Sequence, residues 1–182
     1  NFPPDNYIAD GGIRQCGNRH RLLHVDDAAD IPAALDNSVA VLMLTHVNYR
    51  TGAMHDMKAL TRAAHDAGAL VIWDLAHSAG AMPVDVAGWD VDFAVGCGYK
   101  YLNGGPGAPA FVYVAPRLFG DLEQPLSGWF AHKDPFAFTP HYAAASDIGQ
   151  FTCGTPPMLS ALQGGHASVV EVLFEAGVRW PA

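Results

Sequence analysis

Four short, largely apolar runs recur along the chain, the first three ending on a polar residue or a glycine. Val39–Leu44 runs Val-Ala-Val-Leu-Met-Leu up to Thr45, and Ala69–Trp73 runs up to Asp74. Val91–Val95 ends at Gly96, and Ala110–Val114 reads Ala-Phe-Val-Tyr-Val. Between the first two, Asp56 to Ala67 places Met57, Leu60, Ala64 and Ala67 on one helical stripe, with Gly68 as the stop. Strand-length runs with little polar alternation, separated by longer segments, predict a mostly parallel sheet covered on both faces, with room for one antiparallel member. The texture changes from Ala115 to about Thr155, where Pro116, Pro125, Pro135 and Pro140 interrupt an aromatic-rich stretch. That stretch predicts long ordered loops, a frequent seat of function. Pro156-Pro157 would then open a last helix carrying Leu159, Leu162, Val169, Val170 and Leu173, capped by Gly177. No linker interrupts the pattern, so residues 1–182 read as one α/β unit.

Composition narrows the function classes. Of 182 residues half are apolar and 15% are charged, enough for a packed core. Ten Lys and Arg face 18 Asp and Glu, for a net charge of −8. Such an acidic chain lacks the basic footprint of a nucleic-acid binder. No apolar run approaches the ~18 residues of a membrane span. Cys16, Cys97 and Cys153 are too few for a disulfide framework and suit a reducing, cytoplasmic setting. The chain begins at Asn1 without a methionine or an apolar leader and stops just past a helix-like segment. It therefore reads as an internal fragment, truncated at both ends.

In open α/β sheets, ligands bind outside the carboxyl ends of the strands. The residues just past the apolar runs are Thr45-His46, Asp74 with His77, and Gly98-Tyr99-Lys100. An acid directly after Leu-Val-Ile-Trp needs a cationic or donor partner to stay charged. Pyridoxal phosphate (PLP) accounts for the set, because it needs a lysine for its Schiff base and a carboxylate for its pyridine nitrogen. Lys100 follows Asp74 by 26 residues, room for a crossover and a strand. Each signal alone has a plainer reading: a solvated lysine at a strand end, an aspartate capping a turn.

The motifs Trp73-Asp74-Leu75-Ala76-His77-Ser78-Ala79-Gly80, Gly98-Tyr99-Lys100-Tyr101-Leu102-Asn103-Gly104-Gly105-Pro106-Gly107, Gly128-Trp129-Phe130 and Cys153-Gly154-Thr155-Pro156-Pro157 resemble successive blocks of the bacterial kynureninase family. Thr45 to Arg50 and the opening Phe2-Pro3-Pro4-Asp5 fit the same order. The resemblance implies the aspartate-aminotransferase fold of the class V PLP enzymes, with residues 1–182 as the central part of the large domain. It implies that Lys100 carries PLP as a Schiff base, Asp74 pairs with the pyridinium nitrogen and His77 faces the phenolic edge. It further implies that Tyr99, Trp129 and Thr155 bind the phosphate, Thr155 across a homodimer interface, while Phe2 stacks on the ring with Asp5 and Thr45 beside it. Catalysis would rest on Lys100, Tyr99 and Asp74, acting on kynurenine or 3-hydroxykynurenine to give anthranilate (or its 3-hydroxy form) and alanine in tryptophan catabolism. Ala131, where the family pattern has glycine, and the stretch Val178 to Ala182 depart from it.

Several residues keep plainer alternatives. His20 and His24 are four apart, but no third metal ligand stands out, so no metal is expected. His46 and His132 read equally as substrate contacts or as satisfied loop residues. The Gly104 to Gly107 turn lacks the Lys-Ser/Thr of a phosphate loop and reads as a tight reversal after Lys100. Rival readings are another class V enzyme (a cysteine desulfurase or an aminotransferase), a metal-dependent hydrolase, or an inactive fragment. A desulfurase would be expected to show a His-Lys pair where this chain has Tyr99-Lys100.

Overall fold

The computed structural model describes residues 1–155. The helix expected from Pro156, and the departure at Val178 to Ala182, lie outside them. The sheet has the order β1 (Val41–Thr45), β2 (Leu70–Asp74), β3 (Phe93–Cys97) and β4 (Ala110–Val114). β1, β2 and β3 run parallel, and β4 returns antiparallel to β3. The mostly parallel sheet with one antiparallel member is therefore as expected. Three of the strands begin and end one or two residues later than the apolar runs. Thr45 and Asp74, polar terminators in the sequence, pair with each other across the ladder. Backbone pairing defines a strand's end, and it continues past the last apolar side chain.

Helix α3 (Met57–Asp66) starts where Asp56 accepts the Ala59 amide at 2.9 Å, and it ends before Gly68, whose φ is +84°. Its buried residues are Met57, Thr61 and Ala64, with Leu60 partly covered. Thr61 takes an inward position because its hydroxyl accepts the indole N–H of Trp73 at 3.0 Å. Trp73 is 1% exposed and packs in the core with Met57, Ala64, Val71, Leu75, Val91 and Ala94. Burying a side chain of that size stabilises by about 2–3 kcal/mol. The expectation that both sheet faces are covered holds for one of them among the described residues. On the other, Val41, Leu70, Val95 and Val112 remain 37–47% exposed.

Helix α1 (Pro3–Gln15) has no signature in the hydrophobic pattern, since it buries none of its residues and contains Gly11-Gly12. Pro3 and Pro4 start it at the positions where a missing N–H costs nothing. Asp5 in its first turn and Arg14 in its last complement the helix dipole. The short α2 (Ile31–Ala34) buries Ile31. The crossover from β2 to β3 contains turns and no helix. Residues 115–155 form ordered loops with short 3-10 turns at Pro116–Leu118, Trp129–Ala131, Pro135–Ala137 and Ile148–Phe151.

The end of the sheet opposite the polar rim is tied by Asp92, which is fully buried. Its carboxylate accepts from the Val71 amide at 2.7 Å, Arg117 at 2.6 Å and the His65 ring at 2.8 Å. Those bonds hold its carboxyl below the usual carboxylate range despite burial. Because β4 runs antiparallel, Arg117 just after it returns to the start of β3, where α3 also ends.

Candidate active site

The cluster begins at the carboxyl ends of β1 and β2. His46 donates its amide to the Asp74 carbonyl at 2.9 Å, which holds the two strand ends level. Asp74 is 9% exposed. One of its carboxylate oxygens accepts the Ala76 amide at 2.7 Å, so it caps the adjoining turn. The capping and functional readings of Asp74 are thus compatible, because the second oxygen takes no hydrogen bond among the described residues.

That capped turn carries His77. Its Nε2 lies 3.0 Å from the Lys100 Nζ, across 23 residues of sequence. An ammonium can only donate, so Nε2 accepts and the ring hydrogen sits on Nδ1. Nδ1 is buried with no partner. The turn and the lysine loop meet at Gly80, where a Cβ would lie 2.6 Å from the Tyr101 carbonyl and φ is +83°. The lysine loop is closed by the Gly98 amide on the Pro109 carbonyl (2.9 Å) and the Gly104 amide on the Gly98 carbonyl (2.9 Å). The glycine turn after Lys100 is thus the tight reversal that the sequence implied. The Lys100 ammonium sits 5.6 Å over the Tyr99 ring, and Tyr99 is itself half exposed.

The start of the chain folds onto this cluster. Asp5 lies close enough to Asp74 and Lys100 for their charges to act on it. Burial, and then the Asp74 charge, push its carboxyl above the usual range. Its Oδ2 is buried and unpartnered. Phe2 packs edge-on against Tyr49 with ring centres 5.3 Å apart. Thr45 is 2% exposed and donates its hydroxyl to the Val47 carbonyl at 3.0 Å. A cofactor contact by that hydroxyl would require it to give up this bond.

Trp129 belongs to a second corner. It stacks on Phe138 at 6.1 Å and meets Phe130 and Phe136 edge-on. A cleft of about 410 Å³ opens there between Trp129, His132, Phe138 and Tyr142. A Cβ on Gly128 would lie 1.4 Å from the Cys153 carbonyl, so only glycine allows the Trp129 and Thr155 segments to touch. Thr155 is exposed. Among the described residues no hydrogen bond or ion pair joins this corner to Lys100. His132 is a satisfied loop residue: Nδ1 accepts the Asp134 amide at 2.9 Å, and Nε2 lies 3.2 Å from the His141 carbonyl. Ala131 is buried in a right-handed turn, so the glycine of the family pattern is not needed there. His46 is buried with its Nδ1 unpaired, and His20 and His24 are exposed.

These donors suit one class of small molecule. Two buried orphans, Asp5 Oδ2 and the His77 Nδ1 hydrogen, belong to the same cluster as a primary amine and the free oxygen of Asp74. A flat pyridine aldehyde bearing a phenolic oxygen would meet three of the four, the Asp74 carboxylate facing its ring N–H, the imidazole N–H its phenolate and the amine its aldehyde, with Asp5 close by. Hydrophobic patterning gave no sign of Asp5, which lies on a helix without an apolar stripe; only its motif did.

Comparison with known proteins places this geometry in a family. The sequence profile of the aminotransferase class-V family matches residues 18–178. Kynureninase from Burkholderia mallei (strain SAVP1) is 57% identical over 160 residues, which is 88% of this chain and 38% of the relative. Kynureninase from Pseudomonas fluorescens is 54% identical over the same extent. The chain thus spans 38% of the length of the curated relatives it matches. Among solved structures, a cysteine desulfurase from Thermococcus onnurineus NA1 superposes with a TM-score of 0.64 at 24% identity, over 84% of this chain and 39% of that one. With that profile spanning most of its length, the chain belongs to the aminotransferase class-V family.

Proposed function

We propose that this chain is the cofactor-bearing part of a PLP-dependent kynureninase, cleaving L-kynurenine or 3-hydroxykynurenine to anthranilate (or 3-hydroxyanthranilate) and L-alanine in tryptophan catabolism. The observation that carries the reading is the Lys100–His77–Asp74–Asp5 cluster in a segment 57% identical to a kynureninase. Residues 1–182 are taken as the central part of the PLP-binding large domain of a cytoplasmic homodimer. When bound, PLP supplies an electron sink that makes bonds to the substrate's α-carbon labile. Lys100 would hold the cofactor through its amine and, when that amine is free, would move the substrate's α-proton. Asp74 holds a proton on the ring nitrogen, and Asp5 adds a second negative charge nearby. His77 offers its Nδ1 hydrogen to the phenolic oxygen. Tyr99, the Trp129 indole and Thr155 donate to phosphate, and Tyr99 also serves as a proton donor during Cβ–Cγ cleavage. Water adds to the γ-carbonyl carbon, the aryl acid leaves, and the β-carbon takes up a proton.

A cysteine desulfurase shares the fold, but Tyr99 stands where such an enzyme is expected to carry histidine. The test is to add PLP to the full chain, reduce with borohydride, digest and map the adduct. Label on Lys100, its loss in Lys100→Ala, and anthranilate formed from kynurenine are expected. Label on Lys58 or Lys133, or turnover of cysteine in place of kynurenine, overturns the assignment.

A further inference from the structure

Tyr49 takes no part in the chemistry above, yet its ring meets that of Phe2 edge-on, with centres 5.3 Å apart and planes at 78°. It stands on a hairpin that continues β1 beyond Thr45. Val47 pairs antiparallel with Met54. The Asn48 amide donates to the Ala53 carbonyl at 2.8 Å, and the Gly52 amide returns to the Asn48 carbonyl at 2.8 Å. The Asn48 side-chain oxygen accepts the Arg50 and Thr51 amides at 2.9 and 3.1 Å, which closes the tip around Tyr49. The base of the hairpin is tied to the rim of the sheet: the Thr45 hydroxyl donates to the Val47 carbonyl at 3.0 Å, and the His55 amide to the His46 carbonyl at 3.0 Å. Local bonds therefore fix the backbone that carries Tyr49, on the strand that ends at the proposed PLP site.

Phe2 needs such a neighbour. Its backbone is set by the prolines that follow, at φ −68° and ψ 133°, and its carbonyl accepts the Asp5 amide at 3.0 Å. Those bonds leave its side chain a choice of staggered rotamers, and the ring is 39% exposed. Among the described residues, Tyr49 is the aromatic side chain that meets it. Edge-to-face is a favoured geometry for two aromatic rings, and it selects one placement of the Phe2 ring. An edge-on contact also occupies at most one face of that ring, so the other face stays free for a flat ligand. The contact uses the Tyr49 ring and not its hydroxyl, which makes no hydrogen bond among the described residues.

We propose that Tyr49 is a positioning residue, a brace at the hairpin tip that holds the Phe2 ring in place to stack on the pyridine ring of PLP. The inference rests on the PLP reading, and its test separates the two. PLP affinity and the induced circular dichroism of the bound cofactor are measured on the full chain and on Tyr49→Ala and Tyr49→Phe. Tyr49→Ala should weaken PLP binding about three- to tenfold, the worth of an aromatic pair, and alter the dichroism, which reports ring orientation. Tyr49→Phe keeps the ring edge and should restore both. In a Phe2→Ala background Tyr49→Ala should cost no further PLP affinity, an outcome a general loss of stability does not give. Where Tyr49→Ala fails to fold, Tyr49→Leu keeps apolar bulk without an aromatic edge and should weaken binding in the same direction. Unchanged affinity in Tyr49→Ala, a loss in Tyr49→Phe as large as in Tyr49→Ala, or an equal loss in both backgrounds overturns the brace. Failure of the unsubstituted chain to bind PLP overturns the cofactor reading. A double-mutant cycle of Phe2→Ala and Tyr49→Ala on the melting of the cofactor-free chain then still decides whether the two rings are coupled, and additive losses overturn the contact.

Discussion

The charges of Asp74 and Lys100 both act on Asp5, and the environments of the two carboxylates differ. Asp74 is anchored by a backbone amide, whereas the buried Oδ2 of Asp5 has no partner. Asp5 therefore binds its proton more tightly in the folded chain than at its ordinary value of 3.8. Between those two values the folded state holds more protons than the unfolded one, so this residue's contribution to stability falls as pH rises. Asp5→Asn should accordingly raise the melting temperature of the cofactor-free chain near pH 7, and the difference should vanish below about pH 3.8. The same substitution removes a charge from the proposed pyridinium site and should weaken PLP binding. A thermal-melt series over pH, paired with a PLP titration, checks both directions. At Asp74 the prediction is kinetic. Asp74→Asn should still attach PLP at Lys100, while loss of the substrate α-proton slows at least ~100-fold, because an amide cannot hold the ring nitrogen protonated. Deuterium exchange at the substrate α-carbon measures that step.

At the scale of elements, the site is assembled by close approaches that glycine permits. Gly80 lets the His77 turn rest on the lysine loop, and Gly128 lets the Trp129 turn rest on Cys153. The second approach is the tighter, and its neighbour is backbone, which cannot swing aside. Gly128→Ala should therefore separate Trp129 from the Thr155 segment and weaken PLP binding. Label mapping should still find Lys100, because its loop is closed by separate hydrogen bonds. Fluorescence titration of the variant, beside borohydride mapping, distinguishes loss of the phosphate corner from loss of the whole site. The helices divide the same way. α3 was legible because an apolar stripe, an aspartate cap and a terminal glycine all mark it. α1 was not, because it opens on two prolines and buries none of its residues, so no apolar stripe marks it.

For the whole molecule, the described residues leave two corners unjoined, one around Lys100 and one around Trp129 and Thr155. If Thr155 serves a neighbouring subunit, cofactor retention and dimerisation are thermodynamically linked. Thr155→Val keeps the side chain's shape and removes its hydroxyl, and should cost about 2 kcal/mol of PLP affinity, the size of a bond to a charged group. Added PLP should shift the unsubstituted chain toward dimer in sedimentation velocity, and shift Thr155→Val less. A monomer that binds PLP as tightly as the dimer would remove the shared-site idea.

Much of the architecture was readable from residue order alone. Strand cores, the stripe and caps of α3, and the position of Asp74, His77 and Lys100 at strand ends come from local rules: apolar runs pair, caps satisfy orphan amides, and ligands gather past the carboxyl ends. The motif resemblance assigned Phe2, Asp5, Thr45, Tyr99, Trp129 and Thr155 to the cofactor without saying which other residues of the chain each one meets. Tertiary structure decided the rest, because hydrogen bonds and burial between distant segments leave no periodic trace. Only the fold brings His77 onto Lys100, commits the Thr45 hydroxyl to Val47, and ties strand ends together at the buried Asp92. Only the fold brings the Asn1 carboxamide onto the backbone of Met43 and Thr45, more than 40 residues along the chain.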